Sequence, residues 1–373
     1  MIRRILKRIL TGTLVLILSI IIMATIFTKV SPQFGGSHSS ADQERYRASG
    51  HYNNGKFENL ISTELNAGPK VILGWMKETI KGIPNREPAH ALPIEHVDSL
   101  TLVDHDRADR LLWFGHSAFL LQLEGKNILL DPMLGEVCAP HPWLGPKRYS
   151  DELPIELEKL PVIDAVIFSH DHYDHLDYPS VMKLKDKTKA FYVPLGVGAH
   201  LRSWGIEPDR VHELNWWETV SHEHITFTFT PSRHFSGRGM TDRYTTLWGG
   251  WVIKGSNRNI YFSGDSGYGP HFKETGEKFG PFDLALVECG QYNMRWHDIH
   301  MMPEESAQAA VDLNTKVMMP IHWGAFTLSL HAWNEPPTRL IKSASELNMP
   351  VITPKIGEMI LLDHLMESGS KWW

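Results

Sequence analysis

The ten residues FSHDHYDHLD, Phe168 to Asp177, begin on the last residue of DAVIF (Asp164 to Phe168), whose AVIF is apolar. They hold three histidines and three aspartates. Polar groups this dense beside buried strand residues are costly unless something holds them. Within the stretch, His170, His172, Asp174 and His175 form an H-x-H-x-D-H pattern. At a strand-to-loop corner, His170 and His172 can point one way and Asp174 and His175 another, which suits two metal ions a few ångströms apart. Each ion takes about four or five donors, so two per ion leave a shortfall that other segments must supply.

Several short apolar runs end in such donors. NILL runs into Asp131, AVIF into His170, ITFTFT towards His234, NIYF towards Asp265, ALVE into Cys289 and KVMMPI into His322. If these runs are strands, their C-terminal ends carry the reactive side chains, as sites in mixed α/β folds commonly do. His234, Asp265 and His322 are therefore the expected further ligands, and a carboxylate such as Asp265 can bridge two cations. A lone histidine after a strand is usually an ordinary loop residue; the H-x-H-x-D-H cluster gives these three their weight. The segment GDSG (264–267) is not a G-x-S-x-G nucleophile motif, and Asp265 has the stronger claim as a ligand.

The rest of the chain sets the frame. It has 373 residues, 42% hydrophobic, with net charge −6, ample for a large core and without the basic footprint that nucleic acid requires. Two cysteines exclude a disulfide framework or a Cys-rich zinc module; a single Cys138–Cys289 bridge stays open, with Cys289 read as a buried strand thiol. Residues 1–30 read as a membrane anchor. Arg3, Arg4, Lys7 and Arg8 precede an uncharged stretch from Ile9 to Thr28, long enough to cross a ~30 Å hydrocarbon core. A cleaved signal peptide is the rival reading. Charge crowded on the N-terminal flank places that end in the cytoplasm, with the body on the extracytoplasmic, periplasmic side of a single-pass protein. Residues 31–104 read as a linker and N-terminal arm with one helix near 68–80, and 105–365 as one domain with no internal repeat. A hairpin turn is expected at Gly125-Lys126. MPEESAQAAVDLN (302–314) reads as a helix, with Pro303 and two acids in its first turn. Of the tryptophans near the motifs, Trp216, Trp217, Trp248, Trp251, Trp296 and Trp323, most are expected in the core and some in an acyl-chain groove or at a lipid interface.

The motifs GHSAFLLQLEGKNILLDP, SHDHYDHLD, PSRHFSGR, FSGDSGY and PIHWGAF, in that order, resemble the metallo-β-lactamase-fold hydrolase superfamily over most of 110–330. The resemblance implies an α/β fold of four layers, an αββα sandwich with a dinuclear metal site at one edge. It also implies one metal on His170, His172 and His234, a second on Asp174, His175 and His322, and Asp265 between them. Relatives that handle oxygen have Glu at the second histidine of the motif; His172 here favours two zinc ions per chain, and the donors would accept iron or manganese as well. The segments HYNNGKFEN (51–59), GPKRYS (145–150), HDIHMMPEES (297–306) and IHWGAFTLSLH (321–331) resemble the branch of the N-acylphosphatidylethanolamine-hydrolysing phospholipase D. That branch implies a phospholipid or other small phosphodiester as substrate, a membrane as the working surface, and His300 as an active-site residue. Its catalytic pair here would be Asp174, accepting a proton from the attacking water, and His300, orienting the substrate or protonating the leaving group. The hydrophobic N-terminus departs from the soluble start of the animal enzymes. A lactonase or carboxylester hydrolase, and a non-enzymatic envelope protein affecting permeability, are the alternative readings, and a homodimer stays open.

Overall fold

Alternation of large apolar residues divides the central strands between two cores. Leu111, Trp113, Phe119, Leu121, Ile128 and Leu130 fall in one cluster, whereas Leu112, Leu120 and Leu129 fall in another. Successive side chains leave opposite faces of a strand, so both faces of this sheet are covered. In the computed structural model, which describes residues 1–64, 68–103, 108–367 and 371–373, the chain begins with helix α1 (Ile2–Val30), followed by α2 (Ser40–Arg47), a hairpin of β1 (Tyr52–Asn53) and β2 (Lys56–Phe57), α3 (Pro69–Lys81) and α4 (Ser99–Val103).

The first sheet contains β3 (Arg110–Trp113), β4 (Phe119–Leu123), β5 (Lys126–Leu130), β6 (Ile163–Ile167), β7 (Thr188–Pro194) and β8 (Val211–Leu214), with β15 (Met359–Leu361) on the β3 edge. Strands β5 to β8 run parallel and β15, β3, β4 and β5 antiparallel. The second sheet contains β9 (Thr219–His222), β10 (Ile225–Thr230), β11 (Gly250–Lys254), β12 (Asn259–Phe262), β13 (Leu284–Glu288) and β14 (Met318–Ile321), the last three parallel. Helices α5 (Tyr178–Leu184) and α6 (Val197–Ser203) bury Val181, Leu184, Val197 and Leu201 on the outer face of the first sheet. Helices α7 (His271–Phe279), α8 (Pro303–Asp312) and α9 (Glu335–Glu346) join the second sheet, burying Phe272, Ala307, Ala310, Leu340 and Ala344. The layers are αββα. Fully burying a leucine or phenylalanine contributes about 1.5–3 kcal/mol, so the inter-sheet core holds the two strand-end edges in register.

Local chemistry sets the element ends. Asp177 caps α5, its carboxylate accepting from Ser180 N at 3.0 Å. Pro303 opens α8, and Glu305 accepts from Met302 N at 2.9 Å. The β4–β5 turn is made by Glu124 and Gly125, both at positive φ, one residue earlier than expected, because Lys126 already pairs with Leu123. The expected helices near 68–80 and 302–314 are α3 and α8. Both cysteines are free and buried, so the alternative disulfide is not formed.

Residues 31–59, read as linker and arm, include α2 and the β1–β2 hairpin and contact the domain directly. Trp204 Nε1 donates to Pro32 O at 2.7 Å, Arg238 Nε to Gln33 O at 2.8 Å, and Gly36 N to His200 Nδ1 at 3.0 Å. Gly35 has φ +84, and a Cβ there would lie 2.0 Å from His200 Nδ1, so only glycine permits this approach. Among the described residues, α1 is the one helix long and apolar enough to cross a membrane, with mean hydropathy 2.6 over its best window and no buried residue.

Candidate metal centre

The C-terminal ends of β5, β6, β10, β12, β13 and β14 converge on one edge of the sandwich and bring Asp131, His170, His234, Asp265, Glu288 and His322 together. Parallel neighbours start and finish at the same edge, which is why residues far apart in sequence meet there. All seven metal ligands expected from sequence lie in two adjoining clusters. In the first, His172 Nδ1 is 2.9 Å from His170 Nε2 and 3.2 Å from His234 Nε2, and Asp265 Oδ2 is 3.8 and 3.7 Å from the same two Nε2 atoms. In the second, Asp174 Oδ2 is 3.0 Å from His322 Nε2 and 3.5 Å from His175 Nε2. Asp265 turns its other oxygen to this cluster, Oδ1 lying 3.2 Å from His175 Nε2 and 3.3 Å from His322 Nδ1. One carboxylate thus serves both.

The donor set fits cations. His234 Nδ1 lies 2.9 Å from the carbonyl of Ile299, which only accepts, so the Nδ1 carries the proton and Nε2 presents a lone pair to the cluster. His175 Nδ1 likewise donates to Asp131 Oδ2 at 2.6 Å, and His170 Nδ1 lies 2.9 Å from Ser169 Oγ. This is the outer hydrogen bond that metal-binding histidines carry. His175 Nε2 and Asp265 Oδ1 are buried without a hydrogen-bond partner among the described residues although they face each other, as two ligands of one ion would.

Burial pushes His170, His172 and His234 below the usual imidazole range, which keeps them neutral. Burial opposes charge on His175 and His322 too, but Asp265 and Asp174 overcome it. His175 is held well above the usual range, and His322, with Glu288 beside it as well, is raised to about 9. Burial would lift Asp174 and Asp265, yet the surrounding imidazoles, His175 foremost, hold both well below the carboxylate range. The protonation pattern is that of a site with its positive charge supplied by protons on one side only.

His300 lies against the second cluster. Its Nδ1 donates to Glu288 Oε1 at 2.7 Å, its ring stacks on His322 with centroids 5.3 Å apart, and its donor atom is within 4.8 Å of those of Asp265 and His322. The ring lines a cavity of about 400 Å³ that also exposes His172, Asp174, Asp265 and His322, walled by Trp75, Phe235, Arg243, Trp296, Ile299 and Leu328. A larger groove of about 700 Å³ beside α5, lined by Glu136, Lys147, Asp151 and Lys183, holds none of these residues. Of the tryptophans expected in the core, Trp216, Trp248, Trp251 and Trp323 are buried; Trp296 is on the cavity wall.

The remaining polar residues of the opening stretch hold the loop. Asp171 accepts from Gly237 N at 2.8 Å and Thr246 Oγ1 at 2.9 Å, and Tyr173 OH donates to Arg238 O at 2.6 Å. Sequence reasoning overlooked His116, Glu288 and Arg238. His116 Nε2 lies 2.9 Å from Asp174 Oδ2. Glu288, fully buried, faces His300, His322 (3.4 Å from Nδ1) and Ser266 N (3.2 Å). Arg238 Nη1 donates to Leu176 O at 2.7 Å, gripping the loop that carries the motif. A glutamate ending the apolar run LALVE was the legible signal for Glu288: a buried charge asks for partners. Nothing local singled out the other two.

Residues 126–323 match the family model described as the beta-lactamase superfamily domain. A protein of Mycobacterium tuberculosis is 45% identical over 252 residues, 66% of this chain and 67% of that one. The N-acyl-phosphatidylethanolamine-hydrolyzing phospholipase D 1 of Caenorhabditis elegans is 37% identical over 228 residues, 58% of this chain and 64% of the worm protein. Among solved structures, a possible metal-dependent hydrolase from Veillonella parvula aligns with a TM-score of 0.54 at 18% identity, covering 68% of this chain and 99% of that one; the likeness is one of fold. The chain belongs to the beta-lactamase superfamily, as a metal-dependent hydrolase of the metallo-β-lactamase fold.

Proposed function

We propose that this chain is a membrane-anchored, zinc-dependent phosphodiesterase acting on a phospholipid of the N-acylphosphatidylethanolamine type. The observation that carries the reading is Asp265, which gives one oxygen to each of two imidazole-rich clusters at the floor of a largely apolar cavity. His170, His172 and His234 would hold one zinc ion, Asp174, His175 and His322 the other, with Asp265 shared. When bound, two such ions lower the pKa of a water towards neutrality and offset the negative charge that grows on a phosphoryl group. The similarity to the worm phospholipase supports the choice of a phosphodiester, and of a lipid.

The chain's own residues then have distinct tasks. Asp174, held ionised by the surrounding imidazoles, accepts the proton of the attacking water. Glu288 fixes His300 through Nδ1, so that Nε2 is the nitrogen left to pass a proton to the departing alkoxide. Water adds across the diester: the phosphorus keeps the new oxygen as phosphatidic acid, and the N-acylethanolamine leaves protonated. Trp75, Phe235, Trp296 and Leu328 exclude water around an acyl chain, and Arg243 stands at the wall as a cation for the phosphate. Trp75 belongs to α3, whose Leu73, Met76 and Ile80 are exposed, and Arg295 ties that helix to the cavity rim through Glu78 at 2.9 Å. An exposed apolar helix beside the opening suits a bilayer surface. Helix α1 would span the membrane with its basic flank in the cytoplasm and the catalytic domain on the periplasmic side.

The test uses purified full-length chain in mixed micelles with N-acylphosphatidylethanolamine, the products read by mass spectrometry. Release of phosphatidic acid and N-acylethanolamine, abolished by chelator and restored by zinc, is expected. Two bound zinc ions with no turnover of this lipid would sink the substrate assignment.

A further inference from the structure

His116 stands apart from the seven residues above. It is fully buried, and its Nε2 lies 2.9 Å from Asp174 Oδ2, the oxygen that also faces His322 Nε2 at 3.0 Å. Its donor atom clusters with those of Asp174, His175 and His322 within 4.8 Å. By proximity alone it is an eighth ligand.

The far side of the ring argues otherwise. An imidazole that binds a cation through one nitrogen carries its proton on the other, and that proton is almost always given to an acceptor. His175 gives it to Asp131, His234 to the Ile299 carbonyl, and His170 faces Ser169 Oγ. His116 Nδ1 is buried with no hydrogen-bond partner among the described residues. A proton there would be an orphaned buried donor, which folded proteins rarely tolerate. The proton therefore sits on Nε2, and Nε2–H donates to the Asp174 carboxylate.

The backbone is built to keep it there. Gly115 and His116 both adopt positive φ, +89 and +57, as does His322 at +67. Two hydrogen bonds lock these strained positions together, His116 N to Trp323 O at 3.0 Å and His322 N to His116 O at 3.1 Å. The imidazole rings of His116 and His322 are 4.2 Å apart. Strained backbone that the surrounding structure over-determines commonly marks a functional position.

We propose that His116 is a positioning residue: through Nε2–H it holds the Asp174 carboxylate in place for the second cation and is not itself a ligand. The inference rests on the two-cation reading above.

The experiment titrates metal-free full-length chain with zinc against a chromophoric chelator, and separately with cobalt while recording its visible absorption. Wild type should take up two equivalents. His116→Ala should weaken the second equivalent by about 10–100-fold, the usual effect of losing an outer hydrogen-bond partner, and leave the first unchanged. His116→Gln, whose amide N–H reaches a similar distance, should recover most of the loss, with the cobalt spectrum of wild type. His116→Phe fills the same space without a donor and should behave like His116→Ala, which guards against a cavity effect. Two zinc ions bound to all three variants as tightly as to wild type would overturn the assignment. So would a His116→Gln protein that fails like His116→Ala and shows an altered second cobalt spectrum, since that identifies a ligand. Fewer than two ions on wild type would instead overturn the two-cation reading itself.

Discussion

The two donor clusters share a carboxylate but differ in how the protein holds them. The first is three imidazoles that burial keeps neutral, each anchored to backbone or hydroxyl groups or to its neighbours. The second is ionic: Asp174 is held deprotonated, His175 and His322 are held protonated in the metal-free chain, and Asp131, Glu288 and His116 stand behind them. A neutral cluster accepts a cation without displacing protons. An ionic one must release protons as the metal enters, so its affinity depends more on pH and on the outer carboxylates.

Several measurements break or sharpen this contrast. Asp265→Asn removes the only residue common to both halves. Metal content should fall below two ions per chain and hydrolysis to background, with affinity down by more than about 100-fold, beyond the loss usual for an outer partner; elemental analysis and the lipid assay read it. Retention of both ions would show that the halves are independent. His300→Ala sits beside the second cluster without belonging to it. Turnover should drop by about 10²–10⁴-fold, as for loss of a proton donor, with both ions retained; loss of one ion together with turnover would make His300 part of the ligand set.

The metal-free chain should be most stable near pH 6.5. First-cluster histidines, lowered by burial, add stability as pH rises towards their unfolded value. His322, raised to about 9, contributes stability that is complete below about pH 6.5 and lost as pH climbs through 9. At ~1.4 kcal/mol per pKa unit the His322 contribution is on the order of 3 kcal/mol. Thermal melts from pH 5 to 10, with and without zinc, check it, and zinc should flatten the alkaline limb because the ion replaces the protons. A metal-free curve flat from pH 6.5 to 9 would contradict the ionic picture of the second cluster. Asp131→Asn gives the smallest change. Asp131 Oδ2 faces His175 directly, and reaches His170 only through Ser169, so the second ion should weaken by about 10–100-fold and the first by less.

Much of this site was legible along the chain. His170, His172, Asp174 and His175 lie within six consecutive residues, so their spacing alone announces a cluster. His234, Asp265 and His322 were legible because each follows an apolar run, and parallel strands deliver their C-terminal ends to a common edge. The helices α3 and α8 and the β4–β5 turn were legible from proline, glycine and first-turn acids, to within a residue or so at their ends. The N-terminal arm was read by composition as a linker, yet Gly35 and Gly36 serve close approach to α6. Small polar residues look alike whether they are solvated or packed, so composition did not distinguish the two.

What the sequence determined by itself is the chemistry: oxygen and nitrogen donors without thiolate, in a pattern with local spacing and apolar strands to carry it. What only the tertiary structure decided is the division of labour among those donors. Asp265 faces both clusters, Glu288 holds His300, and the Nδ1 of His116 has no hydrogen-bond partner among the described residues. Each of these is a contact between residues 12 to 95 positions apart or, for His116, the absence of one among the described residues; no period or motif encodes which lone pair faces which proton, because sheet packing sets it after the chain has closed.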